Sequence, residues 1–341
     1  MEKKFVFLGI ALAVLAVLLV AFYFSLPPQT SPYATLSKDT ESIERMEAKI
    51  GYRAHNYYLP LFVAKEKGYF EEEGLDVEMV EFKSTNQLVE ALILGQVDAG
   101  IGGINSFVLF SIEQRKPNQF KIFSGSSISK DKFNPFRIIV RKDSDMKSLS
   151  DLKGKKIGTF QGSAALFVWV NVALEGYAKK EEVEVVQMDP ALLLSALEAK
   201  SVDAILTLEP EGSIALSKGN TKVLAEDPIV CRLFEDFSLT ASVFSSDFVK
   251  KNPEKAARIV RATEKAIDFI KENPEETKLI ISSYTPLDKE LALNQQIPPF
   301  SKMNEIDLGK LQQTADFFFE KGALDKRIDT GKMVLQEEDL R

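Results

Sequence analysis

Of 341 residues only one is cysteine, Cys231, and only one is histidine, His55. A lone cysteine builds no disulfide framework, and together the two cannot supply the ligands of a conventional zinc site. The same scarcity excludes hydrolytic catalysis of the usual kinds, because no Ser/His/Asp or Cys/His set can be assembled from them. Positive charge is also short. Asp and Glu number 50 against 43 Lys and Arg, a formal net charge of -7, and no basic run follows Lys4. A nucleic-acid partner would want a basic face, so that class is set aside. Chemistry is left to carboxylates, hydroxyls, amides and aromatics. What the chain does have is ordinary: 45% apolar and 27% charged residues, enough for two domains with a full core in each.

The amino terminus is a separate object. Lys3 and Lys4 precede an uncharged stretch from Phe5 to Phe24, 20 residues long. That length crosses a bilayer as a helix, and the positive flank keeps the terminus cytoplasmic. No small-residue cleavage site follows Phe22-Tyr23-Phe24-Ser25-Leu26-Pro27, and the cysteine of a lipoprotein is missing. Residues 1–25 therefore read as an uncleaved membrane anchor that leaves the body extracytoplasmic, with a cleaved signal and a secreted or periplasmic protein as the alternative. Residues 26–48, rich in Pro, Ser and Thr, read as a flexible tether of roughly 27 Å root-mean-square span.

Beyond the tether the text repeats itself. Lys49-Ile50-Gly51 returns as Lys156-Ile157-Gly158, and Val77-Glu78-Met79-Val80 as Val183-Glu184-Val185-Val186. Ala91-Leu92 with Val97-Asp98-Ala99 returns as Ala196-Leu197 with Val202-Asp203-Ala204, the three offsets being 107, 106 and 105 residues. Solenoid repeats are far shorter, so this period means duplicated lobes. Each copy reads β-α-β-α-β. In the first, strands are expected from Lys49, over Leu75 to Phe82 and over Val97 to Ile101, with helices over Pro60 to Lys67 and from Ser84 or Thr85 to Leu94. In the second, strands are expected over Lys156 to Phe160, Glu182 to Met188 and Val202 to Leu206, with helices starting at Ser163, Pro190 and Pro210. Leu239 to Phe244 reads as a strand returning to the first lobe, which makes two crossing segments. The lobes are then 49–127 with 240–341, and 128–239. Asn252-Pro253-Glu254 opens a helix with Ile259, Val260, Ala266, Ile267 and Ile270 on one stripe. The fold class expected is α/β, two similar Rossmann-like lobes facing across a cleft, with ligands at the carboxyl ends of the strands.

Several segments resemble the solute-binding proteins of ABC importers for nitrate, taurine, other alkanesulfonates and thiamine-pyrimidine precursors. The matching text is Val63-Ala64 with Glu66-Lys67-Gly68-Tyr69-Phe70, then Glu73-Gly74-Leu75-Asp76-Val77, Gly95-Gln96-Val97-Asp98-Ala99-Gly100, Asp151-Leu152-Lys153-Gly154-Lys155-Lys156-Ile157-Gly158, Glu209-Pro210 and Phe248 to Pro253. The resemblance runs from Lys49 to Pro274. It implies a periplasmic binding protein of type II, a monomer that takes up a small-molecule solute, uses no cofactor, and delivers its cargo to a permease and its ATPase. One branch of that fold is an enzyme, a thiamine-pyrimidine synthase with a lysine-bound pyridoxal phosphate, a histidine donor and a cysteine-rich iron stretch. Here the lysine position is Gly102, the histidine position Ser106, and Ser238 to Phe244 holds no cysteine, so the enzyme reading fails. A ligand sensor without transport is the other alternative.

Candidate binding residues follow from strand ends. After the first strand, Tyr52, Arg53, His55 and Asn56 offer two cationic donors among tyrosines; core packing or capping is the competing use. Asn105 and Ser106 after the third strand, and Gln161, Gly162 and Ser163 in the second lobe, open helices whose free amides suit an oxyanion, although such residues also cap their own helices. Phe160 is placed to stack. Asp189 and Glu209 end strands of the second lobe, where they would accept from an amine or ring nitrogen or else complement a helix dipole. Asp98 and Asp203 recur too, but at the wrong ends of their strands, where a structural hydrogen bond is expected. Trp169 and Cys231 read as core and as an inert thiol or filler.

Overall fold

A computed structural model describes residues 44–341 apart from 132 and 161–164. The first 43 residues, on which the anchor and most of the tether fall, lie outside the described residues, and no described helix is long and apolar enough to cross a membrane. Met46 to Ala48, read as the end of the tether, already belong to the first strand. They pair in parallel with Leu75 to Val77, a partner too distant for local composition to reveal.

The first half of the chain supplies β1 (Met46–Tyr52), helices α1 (Leu59–Glu66) and α2 (Tyr69–Glu72), β2 (Leu75–Glu81), α3 (Thr85–Ile93), β3 (Ala99–Asn105), α4 (Ser106–Glu113) and β4 (Phe120–Ile128). After β5 (Arg137–Arg141) come β6 (Lys156–Phe160), α5 (Ala165–Leu174), β7 (Glu184–Met188), α6 (Pro190–Glu198), β8 (Ala204–Thr207), α7 (Glu211–Ser217) and β9 (Thr221–Ala225). The chain then returns through β10 (Phe237–Ser245), followed by the helices α8 (Ser246–Lys251), α9 (Pro253–Glu272), α10 (Pro274–Tyr284) and α11 (Lys289–Leu293), the short strand β11 (Phe300–Ser301) and α12 (Leu308–Glu320).

These strands form two sheets, ordered β11-β4-β10-β3-β1-β2 and β7-β6-β8-β5-β9. Apart from β11 the orders correspond strand for strand. In each, three parallel strands are joined on one side by an antiparallel strand that enters from the other half of the sequence, β10 in the first and β5 in the second. The chain passes between the sheets twice, after β4 and after β9.

The duplication holds at the level of single atoms. Lys49 N–H donates to Asp98 Oδ2 at 2.8 Å and Asp98 N–H donates back to the Lys49 carbonyl at 2.7 Å. Lys156 and Asp203 repeat the exchange at 2.9 and 2.8 Å. Lys49 Nζ meets Glu78 at 3.0 Å and Lys156 Nζ meets Glu184 at 3.1 Å. The two aspartates therefore splice a strand to the turn that precedes its neighbour, the structural role expected of them. Glycine recurs at Gly51 and Gly158: a Cβ would stand 2.1 Å from Leu88 of α3 in the first case, and 3.2 Å from both Val202 and Ile205 in the second, a tighter fit than usual.

Two expectations change. β3 does not stop at Ile101 but continues through Gly102-Gly103-Ile104 to Asn105, so the glycines are strand and not loop. The cause lies far along the sequence: β10 pairs with that end, Thr240 opposite Asn105 and Ala241 opposite Ile104. A register shift between Ala241 and Val243 accommodates Gly102, whose φ of 107° only glycine adopts readily, and its N–H donates to Ser242 Oγ at 2.8 Å. The serine-rich stretch from Ser124, which by its composition reads as a connection, is likewise strand, since β4 runs on to Ile128. Its hydroxyls pair across the sheet, Ser124 with Ser242 at 2.5 Å and Ser126 with Thr240 at 2.7 Å, so the buried oxygens satisfy one another.

A shared core underlies both sheets. Trp169 of α5, 2% exposed, packs among Phe136, Phe237, Phe317 and Phe318 where the chain crosses, which is the core role expected of it. The apolar stripe of α9 is buried as its spacing requires. Its opposite face carries Arg261 and Lys265 to Glu73, at 2.7 and 2.8 Å. Cys231 is exposed.

Candidate functional site

A cavity of about 150 Å³ lies where the carboxyl ends of the parallel strands of both sheets converge. From the first sheet come Arg53 and His55 after β1, Lys83 to Asn86 after β2, and Gly103 and Asn105 at the end of β3. The second sheet contributes Phe160 at the end of β6, Asp189 and Pro190 after β7, and Leu208 and Glu211 after β8, while Leu239 and Thr240 of β10 close the floor. Tyr57, Val108 and Leu193 fill the apolar wall.

Local geometry explains these placements. Asn105 caps α4, its Oδ1 accepting from Phe107 N–H at 2.9 Å, and Asp189 caps α6 by accepting from Ala191 N–H at 3.0 Å. Ser84 does the same for α3 through Gln87. The capping use and the cavity use coincide at Asn105 and Asp189. Gly103 lets the Tyr58 ring press against the strand, since a Cβ there would stand 2.2 Å from it.

The charges are divided between the halves. Arg53 is half-buried, and its side chain makes no ion pair or hydrogen bond among the described residues. Its field reaches Tyr58 and Glu211. His55 is 8% exposed, stacks on Tyr57 with ring centroids 4.7 Å apart, and brings Nε2 to 3.6 Å from Glu211 Oε2. This contact joins the loop after β1 to the start of α7. Burial pushes the Glu211 carboxyl up, but the adjacent His55 imidazole and the Arg53 charge outweigh it and leave the group below the ordinary value. Glu211 is therefore an anion at neutral pH. Burial first, and the Glu211 charge second, hold the Tyr57 phenol well above its usual range; burial does the same for Tyr58, so both stay protonated.

Of the residues singled out in the sequence, the structure brings Arg53, His55, Asn105, Phe160 and Asp189 together around the cavity. Gln161, Gly162 and Ser163 lie outside the described residues. Four do not line it. Tyr52 is the last residue of β1 and turns edge-on to Phe62 at 5.6 Å. Asn56 is fully buried beside the strand ends, its amide unpartnered among the described residues. Ser106 points to Ser238, with oxygens 3.2 Å apart. Glu209, 3% exposed, faces back to Arg137 of β5, while Glu211, two residues on, takes the cavity position.

Lys83 to Asn86 are not among the candidate binding residues, and Glu211 stands out in the sequence only as a further carboxylate two residues beyond Glu209. The repeat itself carries the missing signal, because shifting Asp189 back by the offset of its strand lands on Lys83, and shifting Phe160 back lands on Arg53. Equivalent strand ends thus bear opposite characters, cationic in the first half and apolar or acidic in the second.

Two sheets of matching order, exchanged antiparallel strands and a cavity between their strand ends define the periplasmic-binding-protein class of fold. The periplasmic aliphatic sulphonate binding protein SsuA from Escherichia coli has this fold, with a TM-score of 0.67 and 20% sequence identity over 85% of this chain and 92% of that one. The chain belongs to the NMT1/THI5-like family, which residues 55–277 match. It is 32% identical over 282 residues to a Bacillus subtilis (strain 168) protein named for aliphatic-sulfonate binding, covering 81% of this chain and 82% of the relative. A 4-amino-5-hydroxymethyl-2-methylpyrimidine phosphate synthase of Saccharomyces cerevisiae is 25% identical over 235 residues, covering 66% of each.

Proposed function

We propose that this chain is the extracytoplasmic solute-binding component of an ABC importer and that it captures a small organic oxyanion of the sulfonate class between its two halves. The observation that carries the reading is Arg53, a half-buried guanidinium at the cavity with no ion pair or hydrogen bond among the described residues. Such a group is incompletely compensated until an anion arrives, and its planar fork matches a sulfonate or carboxylate. Asn105 adds a neutral polar group on the same side. Gripping from two halves gives affinity and couples it to hinge closure. A permease and its ATPase then receive the solute, and residues 1–25 hold the monomeric body at the membrane surface.

The synthase reading has a physical obstacle besides its missing side chains. A Cβ at Gly102 would stand 2.3 Å from the Tyr57 carbonyl oxygen and 2.9 Å from the Tyr58 Cα, so a lysine cannot occupy that strand position without displacing backbone. The two tyrosines fill the place from which a cofactor-bearing side chain would rise.

Titration calorimetry of the purified protein with ethanesulfonate, sulfate and a hydroxymethyl-pyrimidine tests the reading. Saturable heat with the sulfonate and none with the pyrimidine is expected. Saturation by the pyrimidine alone would overturn it.

A further inference from the structure

His55 is the one histidine of the chain, and it stands where two negative charges meet. The first is Glu211 at the start of α7, whose Oε2 lies 3.6 Å from Nε2. The second is the solute oxyanion of the Arg53 cavity, which His55 also lines. The ring is 8% exposed and held by its stack on Tyr57, and Nδ1 is buried with no partner among the described residues. A buried ring nitrogen left unpartnered costs free energy, and in a residue that lines a cavity the arriving solute is the group that relieves it. Other titratable groups near the ring are neutral, fixed in charge or engaged elsewhere. The Tyr57 and Tyr58 phenols stay protonated. Arg53 keeps its charge whatever the pH. Asp189 caps α6, Lys83 lies 3.8 Å from Glu81, and Glu209 is turned to Arg137.

A neutral imidazole carries one N–H and one lone pair. With an oxyanion at Nδ1 and Glu211 at Nε2, either neutral tautomer turns its lone pair to one of the two anions. Only the imidazolium donates to both. We propose that His55 is protonated in the solute-bound protein, its Nε2–H held by Glu211 and its Nδ1–H donated to the solute oxyanion, so that capture of the solute takes up a proton. This rests on the oxyanion reading of the cavity and adds a positioning residue and a proton to it. The same ring then ties the loop after β1, the start of α7 and the solute together. Because the solute binds the protonated ring better, the complex keeps its proton to higher pH than the free protein does. The affinity gained is fully present at low pH and is lost as pH rises through the range in which the bound imidazolium gives up its proton.

The test is titration calorimetry of the intact protein with ethanesulfonate in two buffers of different ionisation heat, since the difference in observed heat counts the protons taken up. A sulfonate stays ionised near neutral pH and Glu211 is already an anion, so the imidazole is the group that gains the proton. Uptake of a measurable fraction of a proton is expected at neutral pH, with affinity rising from about pH 8 to about pH 6 by at most about tenfold per pH unit. His55→Gln should bring the uptake to zero and flatten the pH profile. Glu211→Gln should end the uptake too, because its amide donates to Nε2 and leaves the Nδ1–H of a neutral ring for the solute, and at about pH 8 it should bind the sulfonate more tightly than the parent. Melting curves show that the variants fold, and the measurement on the parent decides even where one does not. Binding by the parent without proton uptake, or uptake that survives His55→Gln, overturns the imidazolium and leaves the oxyanion reading standing. Heat from no sulfonate removes both.

Discussion

Arg53→Ala is expected to weaken binding of a small sulfonate by one to two orders of magnitude and to leave thermal stability nearly unchanged. A hydrogen bond to a charged group is worth roughly 1.5–3 kcal/mol net, which converts to about a 10- to 150-fold change in affinity. Stability is spared because the Arg53 side chain has no ion pair or hydrogen bond among the described residues to lose. Truncation also removes a cation held in a part-buried site before any solute arrives. Arg53→Lys keeps the charge and loses the fork, so it should fall between the two. Titration calorimetry read beside a melting curve separates these effects. A variant that binds as tightly as the parent would place the anion grip on another residue.

Arg137→Ala should do the reverse. Arg137 of β5 joins Glu209, whose side chain is 4% exposed, and reaches Glu226 at 3.0 Å, so it ties β5 to the chain leaving β8 and β9. Taking away the guanidinium strands a buried carboxylate, the situation that costs about 3–5 kcal/mol. A fall in melting midpoint on the order of 10 °C follows for a body of this size. Arg137→Met combined with Glu209→Leu removes both charges and should regain most of that loss. Neither residue lines the cavity, so sulfonate affinity should persist in whatever fraction remains folded. A midpoint change under about 2 °C in the single variant would mean that Glu209 finds another partner or takes a proton.

The contrast between these two arginines marks where the sequence was legible. Arg53 could be found because it ends a strand whose identity the repeat established, and strand ends in such sheets face the ligand. Asp98 and Asp203 were correctly read as structural by the same logic, at the opposite ends. Glu209 and Glu211 could not be told apart in this way. They stand two residues apart in one short turn, and which of them faces inward is decided by Arg137, which β5 brings from far along the chain. The true length of β3 and the pairing of the Ser-rich β4 were hidden for the same reason. Their partner is β10, more than a hundred residues away, and its register shift is set by Gly102 and Ser242 together. The sequence repeats what each half does alone and says little of what the halves exchange.

His55 illustrates the same boundary. As the sole histidine it drew attention at once, with solute contact and helix capping as its two uses. The structure adds a third use: the imidazole lies against Tyr57 and meets Glu211 across the cavity, so it contributes to holding the halves together as well as lining the space between them.

A crystal structure of the protein grown with ethanesulfonate tests the central claim most directly. The account predicts the sulfonate oxygens on the Arg53 guanidinium within hydrogen-bonding distance, with Asn105 on one side and the Phe160 and Asp189 strand ends on the other. A sulfonate bound at full affinity but touching residues of one sheet only, or lying away from Arg53, would contradict it.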